Sequence, residues 1–303
     1  MSKPSFHPKG VIIALTITVV LWASAFVMIK SAGAAYGAGE LALLRFAVAA
    51  VVLGVGGVVK RVRMPGRRGG RWFLCTGFIG VAVYHPCLNY GEQVVSAGAA
   101  SLLINSAPVW TAILATVFLG EKITMRKGAG IAISFIGVVL LVMAKNDAFS
   151  LQPAALFILG SAFCHSVYVI IQKKFLADFT ALEFTLWTVC AGVLWLLPVF
   201  GLSTYRAVMT AALPRTLEVV YLGIFPAAIA YIAFAYATVR MPASRVMTFM
   251  YLVPALAMLI AWAYLGEIPT ALSLTGGALA ITGVAVVNTA RKERGPIIAV
   301  EEG

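Results

Sequence analysis

The sequence predicts an all-α membrane protein of ten transmembrane helices, arranged as two inverted five-helix repeats. Of its 303 residues, 61% are hydrophobic and 11% are charged, whereas charged residues make up roughly a quarter of a soluble domain. The chain also contains ten apolar windows of about 20 residues, each long enough for a helix to cross roughly 30 Å of hydrocarbon. The third observation is an internal repeat that relates the second half of the chain to the first.

The ten windows are continuously apolar and lack the alternating pattern of membrane barrel strands, so helices are predicted. They cover residues 10–30, 40–59, 72–93, 97–118, 127–144, 152–174, 181–201, 216–238, 243–265 and 270–289. The first window follows two lysines, as a secretory signal does. Because it is long enough to span and has a repeat partner in the sixth window, we expect it to stay in the mature protein.

The internal repeat is most visible where Ala97 and Ala243 begin similar segments. Pro108 corresponds to Pro254, and a Leu-Gly-Glu tripeptide follows each proline at the same distance. The predicted repeat units are residues 1–146 and 147–303, the second ending in a cytoplasmic tail, and together they form one integrated transmembrane domain.

Five helices per unit is an odd number, so the second unit must enter the membrane from the opposite side. Inverted repeats of this kind generate alternating access around a site near the membrane midplane.

The distribution of positive charge predicts that both termini are cytoplasmic. Most of the 23 Lys and Arg residues then fall on the inner side, as the positive-inside rule requires. The outer side receives Lys30, Lys145, Arg206 and Arg215. We predict a multi-pass protein of the bacterial inner (plasma) membrane. The net charge of +12 reflects topology and anionic membrane lipid rather than nucleic acid, which is not an expected partner.

The first and sixth windows carry matching faces. In the sixth, Ser161, His165, Tyr168 and Gln172 recur at helical spacing, and Trp22 of the first window corresponds to His165. We predict that both faces turn toward a central substrate cavity lined by Trp22, His165 and Tyr168. Simple aromatic packing is the open alternative for Trp22 and Tyr168.

The second window contains Arg45, about 7 Å along the helix axis from Glu40. Three roles are open for Arg45: snorkelling toward the headgroups, locking another helix, or holding a carboxylate. Its repeat position in the seventh window, Thr188, is neutral. The neighbouring Trp187, and Tyr231 in the eighth window, are predicted to lie in the cavity wall.

The third window places His85, Asn89 and Glu92 on one helix face, at i, i+4 and i+7. Polar groups at depth in a membrane mark solute pathways by default. We therefore predict His85 and Asn89 in the cavity, with Tyr84 as a wall or gate. Glu92, near the outer surface, is predicted to serve with Arg45 as a charge anchor. Interhelical hydrogen bonding is the alternative for this face.

The fourth and ninth windows differ in chemistry. Ser101 and Asn105 offer hydrogen-bonding groups, whereas Met247 and Tyr251 offer deformable apolar surface. A solute with a polar head and an apolar tail, such as a neutral or aromatic amino acid, fits that asymmetry. Simple divergence of the two copies is the alternative.

Four prolines are predicted hinges. Pro108 and Pro254 fall near the middle of their windows, where proline removes a backbone hydrogen bond and kinks a helix. The freed carbonyls could coordinate substrate or let half-helices move. Pro86 and Pro226 are further hinge candidates without symmetric partners. The fifth and tenth windows carry matched small residues that allow close helix approach: Gly130, Ser134 and Gly137 against Gly276, Ala280 and Gly283.

The order of these features resembles the drug/metabolite transporter superfamily, specifically its EamA-type branch. The resemblance rests on Trp22-Ala23-Ser24, on Lys30 closing the first window, on Arg45-Phe46, and on the paired proline-to-Leu-Gly-Glu stretches. It covers nearly all of residues 10–290, and within the branch the chain resembles bacterial inner-membrane exporters of aromatic and neutral amino acids. It implies ten helices, cytoplasmic termini and a central cavity lined by helices 1–4 and 6–9, with helices 5 and 10 as scaffold.

The predicted function is therefore export of small metabolites, above all neutral or aromatic amino acids, by a secondary carrier. Carriage of a drug, nucleotide-sugar or polyamine is the alternative within carriers, although no acid falls at a helix centre to bind a polyamine. A passive channel or lipid scramblase is the alternative outside them. Proton exchange through His85 or His165 and facilitated movement both stay open.

No enzyme, metal or cofactor is predicted. The connections leave no room for a soluble catalytic domain, no P-loop sequence occurs, and no nucleophile with its partner is evident. Three histidines, one of them near the N-terminus, do not make a convincing metal site. Because two halves already enclose one route for the solute, a monomer is plausible.

Overall fold

The computed structural model describes residues 8–94, 103–143, 153–265 and 270–289, and these residues form helices without a β-strand. The helices are α1 (Pro8–Ala32), α2 (Ala38–Val59), α3 (Arg67–Gly77), α4 (Tyr84–Val94), α5 (Ala107–Leu119), α6 (Met125–Met143), α7 (Pro153–Phe175), α8 (Ala181–Thr210), α9 (Leu213–Leu222), α10 (Ala230–Arg240), α11 (Ala243–Thr248), α12 (Leu252–Leu265) and α13 (Ala271–Thr289). In the described part of the chain, five helical spans are long and apolar enough to cross a membrane, and three shorter helices are apolar. The protein is a multi-pass helical membrane protein.

Helix occurs in every predicted window, but α8 is longer than predicted. It continues past the expected end at residue 201 to Thr210, so that its connection to α9 shortens to residues 211–212. Residues 202–210 contain neither proline nor glycine and therefore offer nothing to end a helix. At its start, α8 has a capping box: the Thr180 Oγ1 accepts from the Glu183 backbone N–H, and the Glu183 carboxylate accepts from the Thr180 N–H.

Two helical rods contain a π-helical segment. Phe78–Val83 joins α3 to α4, and Gly223–Ile229 joins α9 to α10. The segments occupy equivalent positions of the repeat, because Gly77 corresponds to Gly223. The wider i→i+5 turn is rare and frequently lies at functional sites. Pro226, within the second segment, supplies no N–H to the helical ladder and is accommodated there.

Two further interruptions precede the predicted hinge prolines. A turn at residues 105–106 comes before α5, and a 3₁₀ segment, Phe249–Tyr251, comes before α12. Pro108 and Pro254 therefore lie in the first turn of α5 and α12, not at a mid-helix kink as expected. A first-turn N–H has no intrahelical partner in any case, so proline is well tolerated there.

The small residues of α6 and α13 bring these two helices into close contact. A Cβ on Gly130 would lie 2.8 Å from the Gly283 carbonyl oxygen, and a Cβ on Gly137 would lie 2.6 Å from that of Gly276. The helices therefore run antiparallel. The Ser134 hydroxyl donates to the Ala280 carbonyl oxygen at 3.2 Å, and these two positions are repeat equivalents. The interface thus has an approximate two-fold axis between equivalent residues.

The other helix contacts also occur in repeat-related pairs. The packing of α1 on α10 matches that of α4 on α7, and the packing of α1 on α12 matches that of α5 on α7. Helices α2 and α8, which are equivalents, pack on each other. Each half of the chain therefore buries its apolar faces largely against the other half.

Charged side chains fasten the corner between α10 and α11. The Glu121 carboxylate accepts from the Ala243 backbone N–H at 2.6 Å and from the Ser244 hydroxyl at 2.5 Å. On the other side of the corner, the Lys173 ammonium donates to the carbonyls of Thr238 and, at 2.6 Å, Met241. An acid at a helix N-terminus and a base at a C-terminus both oppose the helix dipole favourably.

Candidate functional site

A cavity lies between the two halves of the chain. Its walls come from α1, α2, α4 and α5 of the first half and from α7, the second π segment, α10, α11 and α12 of the second. The lining includes these predicted residues: Trp22, Arg45, Tyr84, His85, Glu92, Asn105, Pro108, His165, Pro226, Tyr231 and Met247. Ser101 lies outside the described residues.

A chain of hydrogen bonds crosses one wall of the cavity. Arg45 Nη2 lies 2.6 Å from His85 Nδ1, and His85 Nε2 lies 2.7 Å from the Tyr231 hydroxyl oxygen. Arginine only donates, so His85 Nδ1 accepts and Nε2 carries the hydrogen that is donated to Tyr231. The imidazole therefore holds two residues from opposite halves of the protein in a fixed arrangement.

Arg45 is 4% exposed, so its side chain does not reach out to lipid headgroups. Its guanidinium carbon lies 4.9 Å from the centre of the Phe46 ring, in a cation–π contact. Apart from the bond to His85, the guanidinium has no hydrogen-bond partner among the described residues. Glu92 lines the same cavity, and its buried Oε1 has no partner there either.

Aromatic rings form a second wall. The Tyr84 and His165 rings stack with centroids 5.1 Å apart and an interplanar angle of 9°. Trp22 meets His165 edge-on at 5.8 Å and Tyr231 at 5.7 Å. The Trp22 indole donates to the Pro226 carbonyl oxygen at 3.2 Å, which fixes the ring against the π segment. Stacked and edge-on contacts of this kind hold the rings rigidly.

The rest of the lining is mostly aliphatic. Met247 and Met250 contribute flexible thioether side chains from α11 and the 3₁₀ segment. Phe26 and Leu88 extend the apolar surface along α1 and α4. The cavity thus combines an apolar surface with a few converging polar groups, as small-molecule sites do.

Several predicted cavity residues lie outside this lining. Asn89 is buried and donates to the Ala38 carbonyl oxygen at 2.9 Å, fastening α4 to the start of α2. Tyr168 is buried behind His165, and its hydroxyl accepts from Gln172 at 3.0 Å. Each side chain supports a cavity helix from behind.

Trp187, Tyr251, Pro86 and Pro254 also lie outside the lining. The Trp187 indole donates to the Arg63 carbonyl oxygen at 3.0 Å, in the connection between α2 and α3. Tyr251 is fully buried and packs against aliphatic residues of α6 and α13. Tyr251 therefore faces the scaffold helices α6 and α13, whereas Met247, predicted on the same face, lines the cavity.

Sequence reasoning missed some lining residues. Met250 follows Met247 by three positions, a spacing that places both on one helix face, so it was available from the pattern. Phe26 and Leu88 follow the cavity residues Trp22 and Tyr84 by four positions, so the same reasoning also placed them on the cavity faces of α1 and α4.

Replacing Tyr251 by phenylalanine tests whether its hydroxyl contacts a solute. The hydroxyl is buried and lacks a hydrogen-bond partner among the described residues, and an unsatisfied buried group costs about 1–3 kcal/mol. We expect Tyr251→Phe to keep the melting temperature or raise it, with transport unchanged. Tyr231→Phe is the matched control, because it removes a hydroxyl bonded to His85 and should slow transport. Equal losses in the two variants would contradict the packing role of Tyr251.

Fold and cavity together define a helical membrane protein with a cavity between two similar halves. The model of the EamA-like transporter family matches the chain twice, at residues 9–143 and 152–289. The chain belongs to the EamA-like transporter family.

Two relatives cover most of the chain. A protein of Streptantibioticus cattleyicolor named "Probable terminal-alkyne amino-acid exporter" is 38% identical over 91% of this chain and 92% of its own length. The "Uncharacterized transporter YdfC" of Bacillus subtilis is 36% identical over 90% of this chain and 89% of its own. A solved crystal structure shares the fold, with a TM-score of 0.75 at 21% identity over 92% of this chain and 96% of that one. The family and these relatives are transporters rather than enzymes.

Proposed function

We propose that this protein is a secondary carrier that exports neutral or aromatic amino acids across the bacterial inner membrane by alternating access. The observation that carries the proposal is the cavity between the halves, which joins a charged, hydrogen-bonding wall at Arg45, His85, Tyr231 and Glu92 to aromatic and methionine surfaces. A free amino acid has the same division into a charged head and an apolar tail.

The proposed arrangement is ten membrane spans in two inverted units, residues 1–146 and 147–303, within one transmembrane domain. The antiparallel contact of α6 with α13 supports it, because equivalent helices meet about a two-fold axis. The matching positions of the two π segments and the twofold match to the family model add further support.

The proposed orientation places both termini in the cytoplasm, as the positive charge favours. The cavity lining then follows α1 from Trp22 to Ile29 and α4 from Tyr84 to Glu92, toward the outer ends of both helices. At the inner end, the Glu121 and Lys173 contacts hold the corner between α10 and α11. We therefore propose that this conformation gives access from outside.

Each molecule encloses its own cavity, which supports a monomer surrounded by membrane lipid as the working unit. Amino-acid cargo is supported by the cavity chemistry and by the name of the Streptantibioticus relative. No nucleic-acid partner is proposed.

Uptake into proteoliposomes tests the proposal. The purified protein is reconstituted, and saturable counterflow of labelled amino acids is measured across a panel of neutral, aromatic, acidic and basic members, with and without a pH gradient. We expect counterflow for neutral or aromatic members, competed by the unlabelled solute. Absence of counterflow for every amino acid would reject the cargo. Single-channel currents or lipid exchange between leaflets, in place of saturable counterflow, would reject the carrier.

A further inference from the structure

Two opposite charges share the cavity without pairing with each other. Arg45 from α2 and Glu92 from the last turn of α4 both line it. The described residues nevertheless contain no ion pair between them within the 4.0 Å limit of a salt bridge. The Arg45 guanidinium and the Glu92 carboxylate are therefore separated from each other in a cavity whose lining is otherwise mostly apolar.

Leaving these charges unpaired is costly in a membrane protein. Buried charges are normally paired, and an intramembrane charge without a partner marks a functional site. If the sole purpose of the two residues were mutual neutralisation, direct contact would serve it better. Their separation fits a ligand that places a negative group on one and a positive group on the other.

The bonds around Arg45 orient the site for an anion. Since His85 donates to the Tyr231 oxygen, the hydroxyl hydrogen of Tyr231 is left to point elsewhere. The Arg45 guanidinium uses Nη2 on His85 and retains N–H groups without acceptors in the described part of the chain. Arg45 and Tyr231 thus offer donors from opposite halves of the protein, whereas Glu92 offers acceptors alone.

We propose that Arg45, with the Tyr231 hydroxyl, binds the α-carboxylate of the transported solute, and that Glu92 binds its α-ammonium group. This inference rests on the proposed function and specifies its substrate class as zwitterionic free α-amino acids. A zwitterion satisfies both wall charges at once, whereas an amine or an acid alone leaves one of them unpaired. The side chain of the solute then lies against Trp22 and Met247.

Competition against the wild-type protein is the first test, and it does not depend on any variant folding. Counterflow of labelled phenylalanine is measured against unlabelled phenylalanine, phenylalanine amide and N-acetyl-phenylalanine. Each blocked compound lacks one charge, and leaving a buried charge unpaired weakens binding by roughly thirty-fold or more. We expect both blocked compounds to compete at least roughly thirty-fold less well than phenylalanine. Equal competition by all three compounds would overturn the inference. If neither phenylalanine nor any other amino acid were transported, the proposed function itself would be overturned.

Two substitutions test which of the two cavity charges binds which charged group of the solute. Arg45→Gln should abolish the preference for phenylalanine over its amide and keep the preference over N-acetyl-phenylalanine. Glu92→Gln should do the reverse. Arg206→Gln and Glu40→Gln remove charges outside the cavity lining and serve as matched controls that keep both preferences.

If Arg45 or Glu92 had only a structural role, its substitution would lower both preferences together or leave both unchanged. Either result would overturn the assignment. If Arg45→Gln does not fold, Arg45→Lys and Tyr231→Phe replace it. Each should weaken discrimination against the amide alone, because each retains the fold but loses donors to the carboxylate. Unchanged discrimination in both would overturn the carboxylate site.

Discussion

Replacing His85 by alanine should lower amino-acid export by roughly thirty-fold or more while leaving an inserted, folded protein. The imidazole accepts from Arg45 and donates to Tyr231, so its removal leaves two buried polar groups without partners. The loss of one partner in a buried, charged hydrogen bond costs about 2–5 kcal/mol, and here the cost falls on the cavity wall. Export is measured in intact cells, with expression checked by immunoblot and folding by monodispersity in detergent.

His165→Phe provides the comparison for that experiment. His165 lines the same cavity, and its ring packs on Tyr84 and Trp22. Phenylalanine retains a ring for these contacts. We expect a smaller loss than for His85→Ala, and partial recovery in His85→Gln, whose amide can both accept and donate. Wild-type export by His85→Ala would remove His85 from the transport site.

Replacing Gly283 by leucine should prevent stable folding. A Cβ at this position would lie 2.5 Å from the Gly130 carbonyl oxygen and 2.5 Å from the Ser134 backbone nitrogen. These are backbone atoms of α6 and cannot move aside without separating the two helices. Overpacking of this kind costs about 1–3 kcal/mol and occasionally more, and leucine adds three further carbons. We expect an aggregated elution profile or a strongly lowered melting temperature in detergent.

The matched control is Gly54→Leu in α2, where nothing lies within 4 Å of an added Cβ. That variant should elute and melt like the wild type. A Gly283→Leu protein as stable as Gly54→Leu would show that α6 and α13 are farther apart than the structure indicates.

Much of the fold could be predicted from the sequence because membrane helices can be recognised by their length and apolarity. The windows located the helical rods of the described residues, and the repeat picked out the small residues through which α6 and α13 make contact. It did not give their pairing, because the antiparallel helices place Gly130 against Gly283 and Gly137 against Gly276 rather than against their repeat equivalents. The interruptions could not be predicted in the same way. Whether a residue such as Phe78 joins an i→i+4 or an i→i+5 turn depends on its tertiary neighbours, and both turns bury the same apolar side chains.

Less of the candidate site could be predicted from the sequence. The polar face of α4 drew attention to His85 and Glu92, which line the cavity. The contact of His85 with Arg45, however, joins residues 40 positions apart, and its contact with Tyr231 joins residues 146 apart. Periodicity on one helix cannot reveal partners on another. Aromatic residues were the most ambiguous, because Trp22 in the cavity and Tyr251 in the scaffold packing occupy equally apolar helices.

The position of Glu121 bears on the transport cycle that we propose for the protein. Its carboxylate belongs to the first repeat unit, whereas the backbone amide and hydroxyl that it binds belong to the second. Hydrogen bonds to a charged group contribute about 1.5–3 kcal/mol each. Under the proposed alternating access and orientation, opening the cavity to the cytoplasm would require these bonds to break and water to take their place. The equilibrium between the two facing states would then depend on a contact that lies outside the cavity lining, at the end of the protein that we propose to be cytoplasmic.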